Sequence, residues 1–106
     1  MKEEIISIET VVSKMLIEKN LTISTAESCT GGLVSATLIN YPGISSVFIE
    51  GCVTYSNESK INRLGVNPNT LKIHGAVSEE TAREMAEGIA KNFDTNVAIS
   101  TTGIAG

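Results

Sequence analysis

Three short stretches of this sequence concentrate the side chains that could do chemistry. The first is Thr25-Ala26-Glu27-Ser28-Cys29-Thr30-Gly31-Gly32, where hydroxyls and a thiol run into two glycines. A hydroxyl at a strand-to-helix turn faces a substrate, and the N–H groups after it point outward. One turn can therefore supply both a nucleophile and donors for a developing oxyanion. The glycines let a substrate approach the backbone closely. Ser-x-Thr-Gly-Gly matches neither G-x-S-x-G nor G-x-x-x-x-G-K-[ST], so by pattern alone a capped helix start is the simpler reading. The second stretch, Thr54-Tyr55-Ser56-Asn57-Glu58-Ser59-Lys60, puts a lysine one turn into a helix that Ser56 could start. A lysine whose pKa is lowered by burial can act as a general base toward a serine hydroxyl. On residue type alone, a solvated lysine and a half-buried strand tyrosine are the simpler readings of Lys60 and Tyr55. The third stretch, Ser100-Thr101-Thr102-Gly103-Ile104-Ala105-Gly106, offers hydroxyls and glycines suited to an anion or carbonyl contact. His74 has no obvious partner in the sequence and reads as structural.

Composition narrows what those hydroxyls could do. Among 106 residues there are eleven Ser and eleven Thr, but one His (His74), one Asp (Asp94) and two Cys (Cys29, Cys52). A zinc site draws on three or four His, Cys or carboxylate ligands, so no metal is expected. No cofactor is expected either. A Ser-His-Asp triad would have to use His74, with Asp94 or a Glu as its orienter. Hydrolytic chemistry here leans toward a hydroxyl activated by something other than His. The net charge of -4, with eight scattered Lys and Arg, argues against a nucleic-acid partner. A specific anion could still be held by backbone N–H groups at a helix start. No apolar run reaches the roughly 18–20 residues of a membrane span, and Met1-Lys2-Glu3-Glu4 does not open a signal peptide. The two cysteines, 23 positions apart, read as reduced thiols of a cytoplasmic protein and as small buried hydrophobes, Cys52 above all.

The elements that must position these residues alternate between helix and strand. Ile5, Ile8, Val12, Met15 and Leu16 recur at helical spacing and predict a helix over 3–19, stopped by Asn20. A short strand follows over 21–26, interrupted from Glu27 onward, and then a helix over 33–39. Residues 47–55 are the most β-like run, with Gly51 marking a bulge or a close backbone approach. Ser56 is expected to cap a helix reaching Leu64. Asn67-Pro68-Asn69 reads as a loop, and Leu71 to His74 as a helical turn ended by Gly75. Ser78 is expected to cap a longer helix whose inner face is Ala82, Met85, Ala86, Ile89 and Phe93. Residues 97–101 form the last strand. Short apolar strands between helices predict an α/β domain over 1–106, with helices layered around a largely parallel sheet. In such sheets ligands bind at the carboxyl ends of the strands, where all three chemistry-bearing stretches fall.

Taken together, the first stretch, Val53-Thr54-Tyr55-Ser56-Asn57-Glu58, Lys60, Leu64-Gly65-Val66, His74-Gly75-Ala76-Val77-Ser78-Glu79 and Thr102-Gly103-Ile104-Ala105-Gly106 closely resemble the CinA C-terminal domain family. Five motifs fall in family order over roughly residues 22–106. The family includes competence/damage-inducible proteins and stand-alone nicotinamide-nucleotide amidohydrolases. The resemblance implies deamidation of nicotinamide mononucleotide to nicotinic acid mononucleotide and ammonia, in pyridine-nucleotide salvage. It puts the family's nucleophile on Ser28, its lysine on Lys60 and its site tyrosine on Tyr55. Thr30, Gly31 and Gly32 would contribute oxyanion or substrate contacts. Ser56 and Asn57 would flank the substrate, and Thr102 with Gly103 would line its pocket. It also implies that the fold continues beyond Gly106 with further strands, a closing helix and phosphate-binding basic residues, so the domain is expected to be incomplete. Association of identical copies is expected, because an exposed sheet edge encourages it. Two rival readings stand beside the enzyme. One is a non-catalytic nucleotide-binding or regulatory module, the other an inactive fragment that needs a partner.

Overall fold

The computed structural model describes residues 6–104. Helix α1 (Ile8–Lys19) starts where the Ser7 side chain accepts the Thr10 N–H, and ends at Asn20 in the left-handed region (φ 54°). The residues before Ile6 in the expected 3–19 helix lie outside the described residues. Strand β1 (Ile23–Glu27) leads through the Ser28–Gly32 turn into α2 (Leu33–Ile39). A short 3₁₀ turn, Ile44–Ser46, precedes β2 (Phe48–Val53). Helices α3 (Asn57–Leu64), α4 (Pro68–His74) and α5 (Glu79–Phe93) follow, and β3 (Val97–Ser100) closes the described order.

The three strands form one parallel sheet in the order β2-β1-β3, as the alternating pattern predicts. Strand β1 is central and buried along its whole length. Its sequence, Ile-Ser-Thr-Ala-Glu, is more polar than a central parallel strand usually is. Each polar side chain has found a partner: Ser24 Oγ lies 2.6 Å from Thr95 Oγ1, and Thr25 Oγ1 lies 2.6 Å from Ser35 Oγ. Two apolar layers flank the sheet. On one face Leu16, Ile23, Leu38, Ile44 and Val47 pack with α1 and α2. On the other, Ala26, Leu64, Val66, Met85 and Ile89 pack with α3 and α5. Burying each of the large side chains contributes about 1.5–3 kcal/mol.

Two glycines permit close approaches in these layers. A Cβ on Gly51 would fall 2.5 Å from Ser35 Oγ and 2.7 Å from Thr25 Oγ1, which is the close backbone approach expected there. The bulge itself sits one step earlier, where the β1 partners jump from Phe48 to Glu50. A Cβ on Gly88 would land on the Leu64 carbonyl, so α5 and the end of α3 meet backbone to backbone.

Other expectations need correction. Asn67-Pro68-Asn69 is not a loop. The Asn67 side chain accepts the Asn69 N–H, and Pro68 opens α4 at the position where its missing N–H costs nothing. Glu27 does not interrupt β1 but is its last residue. Both cysteines are unpaired; each is only half-buried rather than buried as expected, although Cys52 does pack against the α3–α5 layer.

Candidate active site

The period-2 alternation of β1 decides where its last residues point. Glu27 turns toward α2, and Ser28, just past the strand, turns to the other face toward α3. Ser28 is 5% exposed. Its N–H donates to the Thr101 carbonyl at 3.0 Å, so the turn is tied to the exit of β3. On the far side, the Ser56 side chain caps α3 by accepting the Ser59 N–H at 3.0 Å. Lys60 lies one turn into that helix and points under the sheet, only 1% exposed.

The Lys60 Nζ has three neighbours: Ser28 Oγ at 3.0 Å, the Thr54 carbonyl at 3.0 Å and the Tyr55 carbonyl at 2.9 Å. No carboxylate is within ion-pair distance of it among the described residues. Burial holds its pKa below the ordinary lysine value, because a charge there has lost its water, and the neighbouring Cys29 thiol opposes that shift only in part. A neutral amine has two N–H donors and one lone pair. In that form the two carbonyls can accept the donors and the lone pair can face the Ser28 hydroxyl, which in the charged form instead accepts from Lys60 and lies 3.4 Å from the Tyr55 carbonyl. This arrangement can take the Ser28 proton without a histidine.

Ser28 and Lys60 are thus brought together; Thr30 stands two residues further along the same turn, and a Cβ on Gly103 would sit 3.3 Å from Cys29 Sγ in that turn. Other expected residues take different roles. The Tyr55 side chain is 73% exposed and lies beyond the end of β2; its carbonyl, not its phenol, meets Lys60. Gly31 and Gly32 do not offer free N–H groups. Gly31 donates to the Ser28 carbonyl and Gly32 to Glu27 Oε1. Both glycines adopt positive φ (61° and 107°), which is what the sharp turn requires. The Thr30 hydroxyl donates to Glu27 Oε1 at 2.6 Å. Ser56 is spent on its cap, and Asn57 is exposed at the start of α3. The Thr102 hydroxyl donates to the Ala76 carbonyl at 2.7 Å and ties the β3 exit to the loop after α4. His74 Nδ1 pairs with Glu80 Oε2 at 3.2 Å on the surface, consistent with a structural role.

Sequence reasoning missed three contributors. Thr54 and Thr101 act through backbone carbonyls, which carry no sequence signal. Glu27 is the third: a carboxylate 0% exposed with five donors, from Thr30 Oγ1, Gly32 N and Val34 N on Oε1 and from Ser35 N and Ser35 Oγ on Oε2. Burial pushes its pKa up, but these bonds more than offset that and hold it below the ordinary carboxylate range. Its available signal is position, since it stands four residues before a Gly-Gly helix start with no other cap. Among the described residues no three His, Cys, Asp or Glu side chains gather where they could hold a metal ion. A groove of about 430 Å³ between α3 and α5, bordered by Arg63, Glu84 and Lys91, includes neither Ser28 nor Lys60.

Comparison with known proteins agrees with the fold. A competence-damage inducible protein of Clostridioides difficile is 70% identical over 100 residues, which cover 94% of this chain and 24% of that protein. One of Clostridium beijerinckii is 71% identical over 103 residues, covering 97% of this chain and 25% of the relative. The chain therefore spans about a quarter of the length of these curated relatives. Among solved structures, a CinA superfamily protein of Escherichia coli superposes with a TM-score of 0.90 at 34% identity, over 98% of this chain and 64% of that one. A competence/damage inducible protein of Agrobacterium tumefaciens gives a TM-score of 0.86 at 42% identity, over 100% of this chain and 66% of that one. The likeness is not confined to the Ser28 turn: the model of the CinA C-terminal domain matches residues 5–106, and the chain belongs to that family.

Proposed function

We propose that the Ser28–Lys60 pair is the centre of an amidohydrolase acting on the carboxamide of nicotinamide mononucleotide. The observation that carries this reading is the buried Lys60 Nζ, 3.0 Å from Ser28 Oγ, with two carbonyls beside it and, among the described residues, no carboxylate within ion-pair distance. The substrate follows from the family resemblance.

In the proposed reaction the Ser28 hydroxyl gives its proton to Lys60 as Oγ bonds to the amide carbon. The tetrahedral intermediate collapses when Lys60 passes that proton to the nitrogen, and ammonia leaves. Water then attacks the acyl-serine and gives a proton to Lys60, which returns it to Ser28 Oγ as nicotinic acid mononucleotide departs. No residue beyond this pair is asked to exchange a proton. A cytoplasmic setting and the association of identical copies belong to the same proposal. The outer edges of β2 and β3, both unpaired among the described residues, favour association.

The test is ammonia release from nicotinamide mononucleotide by the longest natural form of the protein and by the 106-residue chain, side by side. Release is expected from the parent and not from Ser28→Ala. A Ser28→Ala rate equal to the parental rate sinks the reading. Tight binding of the nucleotide without any product over long incubation would favour a binding module instead.

A further inference from the structure

We infer that Glu27 is a positioning residue of the Ser28–Lys60 centre, holding the nucleophile turn through Thr30 and Thr101. This rests on the amidohydrolase reading above. Helix α2 begins at Gly32, which has no side chain to cap it. Glu27 supplies the cap from the preceding strand, accepting the Gly32, Val34 and Ser35 N–H groups at 3.2, 2.9 and 2.9 Å. A negative charge is favourable at that end of a helix. A buried carboxylate without a cation would ordinarily be costly, and here five donors replace its lost water.

The same carboxylate reaches the active-site turn. Thr30 gives its hydroxyl proton to Glu27 Oε1 at 2.6 Å. With that proton committed, the 2.7 Å contact between Thr30 Oγ1 and Thr101 Oγ1 has one direction: Thr101 donates. Thr101 Oγ1 in turn lies 3.4 Å from the Ser28 N–H, which also bonds the Thr101 carbonyl. A directional chain thus runs from the Ser28 amide through Thr101 and Thr30 to the Glu27 charge. It pins both ends of the Ser28–Thr30 turn. The Thr30 hydroxyl is thereby withdrawn from substrate. Between the pinned ends, the N–H groups of Cys29 and Thr30 have no acceptor among the described residues, and they are the donors left for an oxyanion formed at Ser28. Donors fixed in advance lower a barrier because they need not reorganise during the reaction. Glu27 and Lys60 lie on opposite faces of the sheet, so the influence is through geometry.

The test compares Glu27→Gln and Thr30→Val with the parent in the longest natural form of the protein, after circular dichroism establishes that each is folded at the assay temperature. Glutamine keeps the shape but presents an amide donor to donors, and valine removes the hydroxyl that joins Glu27 to Thr101 while leaving the other four Glu27 donors in place. For both, kcat is expected to fall about 10–100-fold, the scale of a small misplacement of reacting groups. KM should stay within about threefold, and the acidic limb of the pH profile should stay where the parent has it. A merely structural role would lower the melting temperature and leave kcat unchanged. If either folded variant keeps kcat within twofold of the parent, the inference is overturned. Should Glu27→Gln fail to fold, Thr30→Val carries the same decision. The rate of covalent labelling of Ser28 by a fluorophosphonate separates this inference from the choice of substrate. If the parent is labelled but releases no ammonia, the substrate assignment fails while a tenfold slower labelling of Thr30→Val upholds the positioning role. Equal labelling rates refute it. A parent neither labelled nor active refutes both.

Discussion

At the residue scale, the decisive feature is a buried lysine with no carboxylate within ion-pair distance among the described residues. Its ammonium could donate three hydrogen bonds where it stands, so the site does not forbid the charged form; burial only makes it less favourable. The consequence is a pH dependence with a definite sign. Turnover needs the neutral amine, so kcat/KM should rise with pH through the Lys60 ionisation, and this rise should begin below the ordinary lysine value of 10.5. Initial rates across a buffer series check this. A profile that is flat or falling over the rise would count against Lys60 as the base. Lys60→Ala should lose at least about 100-fold in kcat, the scale of a lost general base. Lys60→Arg should not restore it, because a guanidinium stays protonated. Ser28 and Lys60 were legible in the sequence through the family resemblance, whereas residue type alone favoured a capped helix start and a solvated lysine. The Thr54 and Tyr55 carbonyls were not, since any residue carries a carbonyl and only the fold aims it. At Tyr55 the carbonyl meets Lys60 while the phenol stands exposed beyond β2.

At the scale of elements, the site depends on how two helices are held to the sheet. Glu27 anchors α2, and its contribution to stability should vary with acid. Its folded pKa lies below the unfolded value of 4.5, so the folded state binds the proton less readily than the unfolded chain. The stabilisation is therefore complete above the unfolded value and is lost as pH falls through the folded one. Glu27→Gln should cost about 1–3 kcal/mol at neutral pH. Urea titrations should show that gap narrowing below the unfolded value, and a gap independent of pH would refute the assignment. Helix α3, which carries Lys60, is held by its end against Gly88 of α5. Gly88→Ala would drive a methyl group into the Leu64 carbonyl, and should cost about 1–3 kcal/mol while pushing Lys60 off Ser28. Thermal melts and ammonia release should fall together. The helix caps at Ser56 and Ser78 and the stop at Asn20 were readable, being local bonds between near neighbours. The α4 start was misread because a proline inside a polar triplet signals a loop or a first helical turn equally well. The burial of Glu27 was hidden because its donors come from the next helix.

At the scale of the whole molecule, the three stretches picked out by composition end at one edge of one sheet. Ser28 leaves β1, Thr54 and Tyr55 leave β2, and Thr101 leaves β3, with hydrogen bonds among all three exits. Parallel strands make this possible, because all their carboxyl ends face the same way. A ligand seated there touches every strand, so its binding free energy should appear as stability of the entire sheet. Nicotinamide mononucleotide at a hundred times its Kd should stabilise the folded state by about 2.7 kcal/mol. Ser28→Ala is the form in which to measure this, since it removes the nucleophile without consuming the ligand and leaves the backbone donors in place. Its melting temperature should rise with nucleotide concentration, by about 4–8 °C per kcal/mol for a domain of this size. Hydrogen exchange should slow at the amides of β1, β2 and β3 alike. A rise in melting temperature with protection confined to the α3–α5 groove would move the nucleotide site away from the strand exits. No rise at all in a folded Ser28→Ala protein would remove nicotinamide mononucleotide as the ligand while leaving the Ser28–Lys60 pair to be tested on other amides.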